Sequence, residues 1–361
     1  MRLIPINQVK EGYILGKSLY NDSGQLLVAK NTSLTNSMIR KIKELGYNSI
    51  YIVSEYTEAE IEEIVKPEFI QKTINLSKKI TNMLIDRKGN LQKSLYELSQ
   101  IINEIVDEIL NSKEIFLNLI NVSKYDDYTY KHSLNVMFLA ISVGRTLGYT
   151  KKQLHDLAIG ALFHDVGKLF IPKEILLKPH RLTSQEFELI KTHPQKGFQF
   201  LKEYTELSAI IRIVSLDHHE KWDGTGYPQG KKGEEIHPFG RIVAVCDVFE
   251  ALTANRPYRH EIPLFEAREY IFGGGGSFFD FQVVQAFSKT VNPYPIGTYV
   301  KLSDGREGVI QNTNHNFYTR PIVEIHSEEG KKINPYTFNL LEVNNITVDS
   351  VIYDFSFNKA G

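Results

Sequence analysis

The chain has 361 residues, 42 basic and 43 acidic side chains and a formal net charge of -1. With 42% hydrophobic and 24% charged residues it has ordinary globular composition, which argues against a disordered chain, a coiled-coil rod and a broadly cationic nucleic-acid binder. Domains commonly run to roughly 100–200 residues, so two or three folded units are expected. The one cysteine, Cys246, allows neither an intramolecular disulfide nor a thiolate metal cluster, and a reducing, cytoplasmic setting is expected. Apolar runs such as 136–143 fall short of the roughly 18 residues that span a bilayer, and the opening MRLIPINQVKEG lacks a signal peptide's apolar core. A soluble chain without membrane attachment is expected.

Residues 1–56 alternate short β-type runs at 13–15, 26–29 and 49–53 with a turn at Asn21-Asp22-Ser23-Gly24. Leu34, Met38, Ile42 and Leu45 repeat at helical spacing and Gly46 stops the pattern, so this segment reads as a small α/β module. Residues 57–123 carry few glycines and runs such as Leu91-Gln92-Lys93-Ser94-Leu95-Tyr96-Glu97-Leu98, the pattern of a helical connector or dimerisation segment with solvated charges. Residues 124–292 stay helical between motif-like loops. After Asn292-Pro293-Tyr294-Pro295, short strands at 299–302, 308–311 and 322–325 around a Ser303-Asp304-Gly305 turn predict a small β-barrel over 293–355. These strands carry no aromatic and basic stripe, so a nucleic-acid polymer is not expected as partner. The expected fold is mainly α, with an all-helical catalytic domain flanked by the α/β module and the barrel.

Seven of the eleven histidines lie between His132 and His219. His164 and Asp165 sit side by side after an apolar helical run. Adjacent side chains on a helix diverge by about 100°, so this pair serves two metals only if the carboxylate uses both oxygens. Taken alone, such a pair is a surface or capping pair. His132, His193, His218-His219 and Asp247 add ligand types at intervals suited to successive helices, each beside a helix-like apolar pattern. Facing helices of a bundle commonly build metal sites. Imidazoles and carboxylates without thiolate suit Fe, Mn, Ni or Zn, and an open catalytic site rather than a structural one.

The motifs are His132-Ser133, His164-Asp165-Val166-Gly167-Lys168, His193-Pro194, His218-His219-Glu220-Lys221-Trp222-Asp223-Gly224-Thr225-Gly226-Tyr227-Pro228, Asp247, Ala251-Leu252-Thr253 and Arg256-Pro257-Tyr258-Arg259. In this order residues 130–287 resemble the HD-GYP family, a subgroup of the HD phosphohydrolases. The resemblance implies hydrolysis of the bacterial second messenger cyclic di-GMP by a metal-bridging hydroxide, in an all-helical domain with two or three metal ions. It implies that His132, His164, Asp165 and Asp247 hold one metal and that His193, His218 and His219, with Asp165 bridging, hold the second. Two metals roughly 3.5–4 Å apart would activate a water and clamp the attacking and leaving oxygens of an in-line displacement.

By the same resemblance Asp165 and Lys168 are the catalytic pair. Lys168 also joins Arg256, Arg259, Glu250 and Tyr227 in binding substrate, and Lys168 reaches a phosphate from Asp165's helical face if the local structure stays helical. Glu250 stands where the family usually has aspartate near the substrate. The Gly226-Tyr227-Pro228 loop is turn chemistry by composition, and in the family it has been linked to diguanylate cyclase (GGDEF) domains. Members with three metals carry a glutamate four residues before the first histidine. Here that position is Tyr128, and Asp126 and Asp127 are rotated away from the ligand face, so two metals, Fe or Mn with Ni or Zn as alternatives, are expected, with pGpG as product and its further cleavage to GMP left open. Competing readings keep the chemistry on another cyclic dinucleotide such as cyclic GMP-AMP, or make the domain a silent cyclic di-GMP receptor. Gly273 to Gly276 reads as a helix stop rather than a phosphate loop, and Trp222 and Cys246 as packing residues.

Overall fold

The computed structural model describes residues 1–20, 25–45, 47, 49–53, 65–112, 128–178, 180–254, 262–314 and 317–353. The turn at Asn21 to Gly24, the pair Asp126-Asp127 and the Arg256 to Arg259 motif lie outside the described residues.

The N-terminal residues pair β1 (Arg2–Pro5) antiparallel with β4 (Ser49–Ile52), and β2 (Leu19–Tyr20) with β3 (Leu26–Val28). Between them runs α1 (Asn36–Glu44), opened by Thr35, whose side chain accepts from the Met38 amide. Ile4, Ile6, Leu15, Leu34, Ile42, Ile50 and Ile52 form their common core, so the apolar face of α1 predicted from Leu34, Met38 and Ile42 is the face that packs.

Helices α2 (Pro67–Asp86) and α3 (Leu91–Asn111) make a hairpin. Pro67 occupies the first turn of α2, where its missing N–H costs nothing, and Asn90 caps α3 through the Lys93 amide. The buried face of α3 is Ser94, Leu98, Ile102, Ile105, Val106 and Ile109, the three- and four-residue spacing of one helical stripe. There follow α4 (Tyr128–Thr146), α5 (Lys151–Leu162), a 3-10 turn at Val166–Phe170, α6 (Lys173–Leu176), α7 (Ser184–Ile190), α8 (His193–Tyr204), α9 (Ala209–Asp217), α10 (Pro238–Thr253), α11 (Leu264–Gly273) and α12 (Phe281–Ser288). Capping boxes at Thr150 and Thr183 fix the starts of α5 and α7. Helices α4 and α10 are buried along most of their length, as helices inside a bundle are, and each carries polar residues among its apolar ones. The glycine run ends α11 and turns the chain toward Asp280, which caps α12.

The C-terminal strands are β5 (Tyr299–Leu302), β6 (Glu307–Asn312), β7 (Ile322–Glu328), β8 (Lys331–Asn339) and β9 (Val348–Ile352), all antiparallel in the order β8-β7-β6-β5-β9. Where the sequence predicts a small closed barrel, the described residues form an open sheet. Closure needs the two edges to pair, and β8, with Lys331, Lys332 and Pro335, is a solvated edge of the kind that resists pairing.

By packing, the chain divides into two compact units. One joins residues 1–63 and 291–361, and the other holds 64–120 and 125–290. The first unit thus takes in both the N-terminal module and the C-terminal sheet. Arg2 links them: its guanidinium lies 4.2 Å from the Tyr299 ring centroid and donates to the Tyr353 carbonyl. Among the described residues no helix is long and apolar enough to cross a membrane.

Candidate metal centre

In the helical unit six of the expected ligands are buried and His219 is partly exposed. His132 comes from the first turns of α4, His164 and Asp165 from the turn that ends α5, and His193 from the first turn of α8. His218 and His219 follow α9, and Asp247 lies on α10. Helix ends converge here because Gly167 and Gly197 let the turn after α5 press against α8. A Cβ on Gly167 would lie 1.9 Å from the His193 carbonyl oxygen.

Asp165 lies between two groups of imidazoles. Its Oδ1 is 3.2 Å from His193 Nε2 and 3.7 Å from His218 Nε2, while its Oδ2 is 3.4 Å from His164 Nε2 and 3.7 Å from His132 Nε2. Asp247 Oδ1 lies 3.0 Å from His132 Nε2 and 3.8 Å from His164 Nε2. The ligand atoms of Asp165, His193, His218 and His219 fall within 4.8 Å of one another, as do those of His132, His164 and Asp165. His164, His193 and His218 each give Nδ1–H to a backbone carbonyl, of Ala161 (2.7 Å), Ile190 (2.8 Å) and Ser215 (3.0 Å), which leaves Nε2 as the free lone pair facing the centre.

Two observations say that this donor set fits a metal. Buried His164 Nε2 and Asp165 Oδ1 have no hydrogen-bond partner, a costly arrangement unless another group satisfies them. His193 Nε2 and His218 Nε2 also face each other at 3.2 Å, lone pair toward lone pair if both Nδ1 atoms carry the proton.

The electrostatics agree. Burial would raise the Asp165 carboxyl, but Lys168 and the imidazoles around it hold it well below the usual carboxylate range. Asp247 is held low in the same way against its own burial, chiefly by His132. Burial, reinforced by His164 and His193, lowers His218 to about 4, and burial likewise lowers His219. These groups sit in the forms that bind cations: carboxylate and neutral imidazole. His132 differs, since Glu250 and Asp247 outweigh its burial and push it up to about 10.

Lys168 lies in the 3-10 turn, where residues three apart eclipse, and its ammonium donates to Asp165 Oδ2. Tyr227 stacks on His219 with ring centroids 4.7 Å apart and planes 25° from parallel, and burial and the two aspartates raise its phenol. Glu250, expected against substrate, is placed behind an imidazole: it is 3% exposed, one oxygen bonds His132 Nδ1 and the other accepts from Asn135 at 3.2 Å. Trp222 and Cys246 are packing residues as expected. Arg241 lies over the Trp222 ring, and Cys246 is fully buried.

Sequence reasoning passed over the residues that hold the loop carrying Tyr227. Asp217, fully buried, accepts from Lys231 Nζ at 2.6 Å and the His237 amide at 2.9 Å; Glu220 accepts from the Gln229 and Lys231 amides at 2.7 and 3.0 Å. The available signal was two acids flanking His218-His219. For Asn135 it was a lone amide in an apolar helix, one turn after His132.

A helical bundle that gathers imidazoles and carboxylates around unsatisfied buried donor atoms defines a helical domain able to bind metal. Residues 104–283 match the HD domain family. The chain is 37% identical over 254 residues to the cyclic di-GMP phosphodiesterase PA4108 of Pseudomonas aeruginosa, covering 70% of this chain and 61% of that protein, less than two thirds of its length. It is 34% identical over 274 residues to a cyclic di-GMP phosphodiesterase of Thermotoga maritima, covering 70% of this chain and 74% of that one. Among solved structures, a HDG"Y"P protein from Bdellovibrio bacteriovorus has the same fold, with a TM-score of 0.52 at 17% identity over 79% of this chain and 97% of that one. The chain belongs to the HD-GYP family of HD-domain proteins.

Proposed function

We propose that the chain is a metal-dependent phosphodiesterase that opens cyclic di-GMP to linear pGpG. The observation that carries the reading is Asp165, buried with its two oxygens toward different imidazole groups. That arrangement suits two ions: one held by His132, His164, Asp165 and Asp247, the other by Asp165, His193, His218 and His219. Fe or Mn best matches imidazole with carboxylate, and Ni or Zn is compatible. Such a pair supplies Lewis acidity, lowering the pKa of water toward neutrality.

The chain's own residues supply the rest. Lys168, a third exposed and already beside Asp165, offers its ammonium to a phosphate oxygen, neutralising charge that grows as the diester is attacked. Asp165 and Asp247 stay ionised, and backbone carbonyls hold His164, His193 and His218 with Nε2 forward. Tyr227, stacked on His219, is a further substrate-contact residue in this reading. Arg256 and Arg259 complete the substrate contacts in this reading. The Gly226-Tyr227-Pro228 loop is the candidate surface for a GGDEF-domain partner, and the α2 and α3 hairpin for a homodimer.

The test is metal analysis of anaerobically purified full-length protein together with chromatography of products from cyclic di-GMP. About two Fe or Mn per chain with pGpG accumulating supports the reading. Turnover of cyclic GMP-AMP in preference moves the substrate, and tight dinucleotide binding with full metal and no turnover makes the domain a receptor.

A further inference from the structure

His132 is held differently from its neighbours. His164, His193 and His218 give Nδ1–H to neutral backbone carbonyls, whereas His132 Nδ1 bonds the carboxylate of Glu250. Asp247 and Glu250 are one turn apart on α10, so a single helix places one carboxylate at each nitrogen of the same ring: Asp247 Oδ1 at Nε2, 3.0 Å away, and Glu250 at Nδ1. Asn135, also on α4 and 5% exposed, fixes the second Glu250 oxygen. With both its oxygens engaged behind the ring and only 3% exposure, Glu250 has a geometry for orienting an imidazole rather than for meeting a ligand.

We propose that Glu250 is the positioning residue for His132, and that through it the chain makes its two ion positions unequal. This rests on the metal reading of the centre but not on the identity of the substrate. A carboxylate behind a ligating imidazole fixes its tautomer and strengthens it as a donor. The position built on His132 therefore has two carboxylates facing it and a third behind. The position built on His193, His218 and His219 has one carboxylate among three imidazoles. Carboxylate-rich surroundings suit harder ions such as Mn, and imidazole-rich ones suit Fe, Ni or Zn, so the two positions differ in affinity for any one ion.

The test uses full-length protein stripped by chelator and titrated with Mn2+, with free ion followed by electron paramagnetic resonance. Wild type shows two classes of site. Glu250→Gln, which keeps the shape and an acceptor, weakens one class several-fold. Glu250→Ala weakens the same class by about 10–100-fold and leaves the other unchanged. Asn135→Ala produces a smaller loss in that class. Should Glu250→Ala fail to fold, Glu250→Gln and Asn135→Ala decide the matter. Wild-type Mn2+ binding in Glu250→Gln and Asn135→Ala overturns the proposal, as does equal weakening of both classes. Unaltered metal binding with a raised KM for dinucleotide also overturns it, by making Glu250 a substrate contact. A wild type that takes up no Mn2+ overturns the metal reading itself, a result separable from the others because no variant is needed to see it.

Discussion

Asp165 is the residue that faces both groups of imidazoles. Its Oδ1 faces His193 and His218 while Oδ2 faces Lys168, His164 and His132. Asp165→Asn keeps the shape and removes the charge. Its metal content is expected to fall to one ion per chain or fewer, and hydrolysis to drop by more than the roughly 100-fold upper figure for supporting residues. Elemental analysis and a product assay check this; full metal and normal turnover would show that the carboxylate is not shared. Lys168→Met is expected to leave metal content intact and lower kcat by about 10²–10³-fold, the cost of losing one donor aimed at developing charge, as steady-state kinetics would show. The residues that gather here were legible in the sequence because their chemistry belongs to the side chain: a His-Asp pair says little alone, but with His132, His193, His218-His219 and Asp247 at successive helix-like intervals it stands out. The task of Glu250 was not, since it depends on where α10 crosses α4, and no local pattern encodes a crossing.

At the scale of elements, close backbone approach sets the site. The 3-10 turn at Val166–Phe170 meets the start of α8 through Gly167, leaving no room for a methyl group. Gly167→Ala is expected to push α8 outward and move His193, costing about 1–3 kcal/mol of stability and weakening metal uptake on the His193 side. Thermal melts with and without Mn2+ would read both effects; an unchanged melt would mean that the turn yields freely. Behind the loop that carries Tyr227, Lys231→Met removes one of the two partners of fully buried Asp217. Because the ammonium is itself partly exposed, the cost is expected at about 2–4 kcal/mol, at or below that of a fully buried pair, by denaturant unfolding. Helices α1, α2 and α3 were readable from their apolar spacing, which a one-sided burial imposes. Strands β1, β2, β8 and β9 were not. β8 runs Lys331-Lys332-Ile333-Asn334-Pro335-Tyr336-Thr337-Phe338-Asn339, an edge exposed along most of its length, so little apolar alternation is demanded of it.

Over the whole molecule, the sequence suggested four consecutive pieces; packing gathers the described residues into two units, one of which holds both the N-terminal strands and the C-terminal sheet. Hydrophobic pattern is a local signal and cannot announce that a residue near the start will meet one near the end. Arg2 is such a residue: it is 8% exposed, lies over the Tyr299 ring and bonds the Tyr353 carbonyl. Arg2→Met is expected to cost this unit about 1–3 kcal/mol, speeding amide hydrogen exchange in β1, β5 and β9 while the helices of the other unit keep wild-type protection. Equal acceleration in both units would mean that they unfold together. The shared unit also sets an order of events on the ribosome. Arg2 is made first but Tyr299 and Tyr353, which its side chain meets, are made last. At synthesis rates of about 5–20 residues per second the roughly 240 residues between Val53 and Tyr294 take on the order of ten to fifty seconds. The seven candidate ligands from His132 to Asp247 all lie within that stretch, so they are made while the unit that brackets them is still half made.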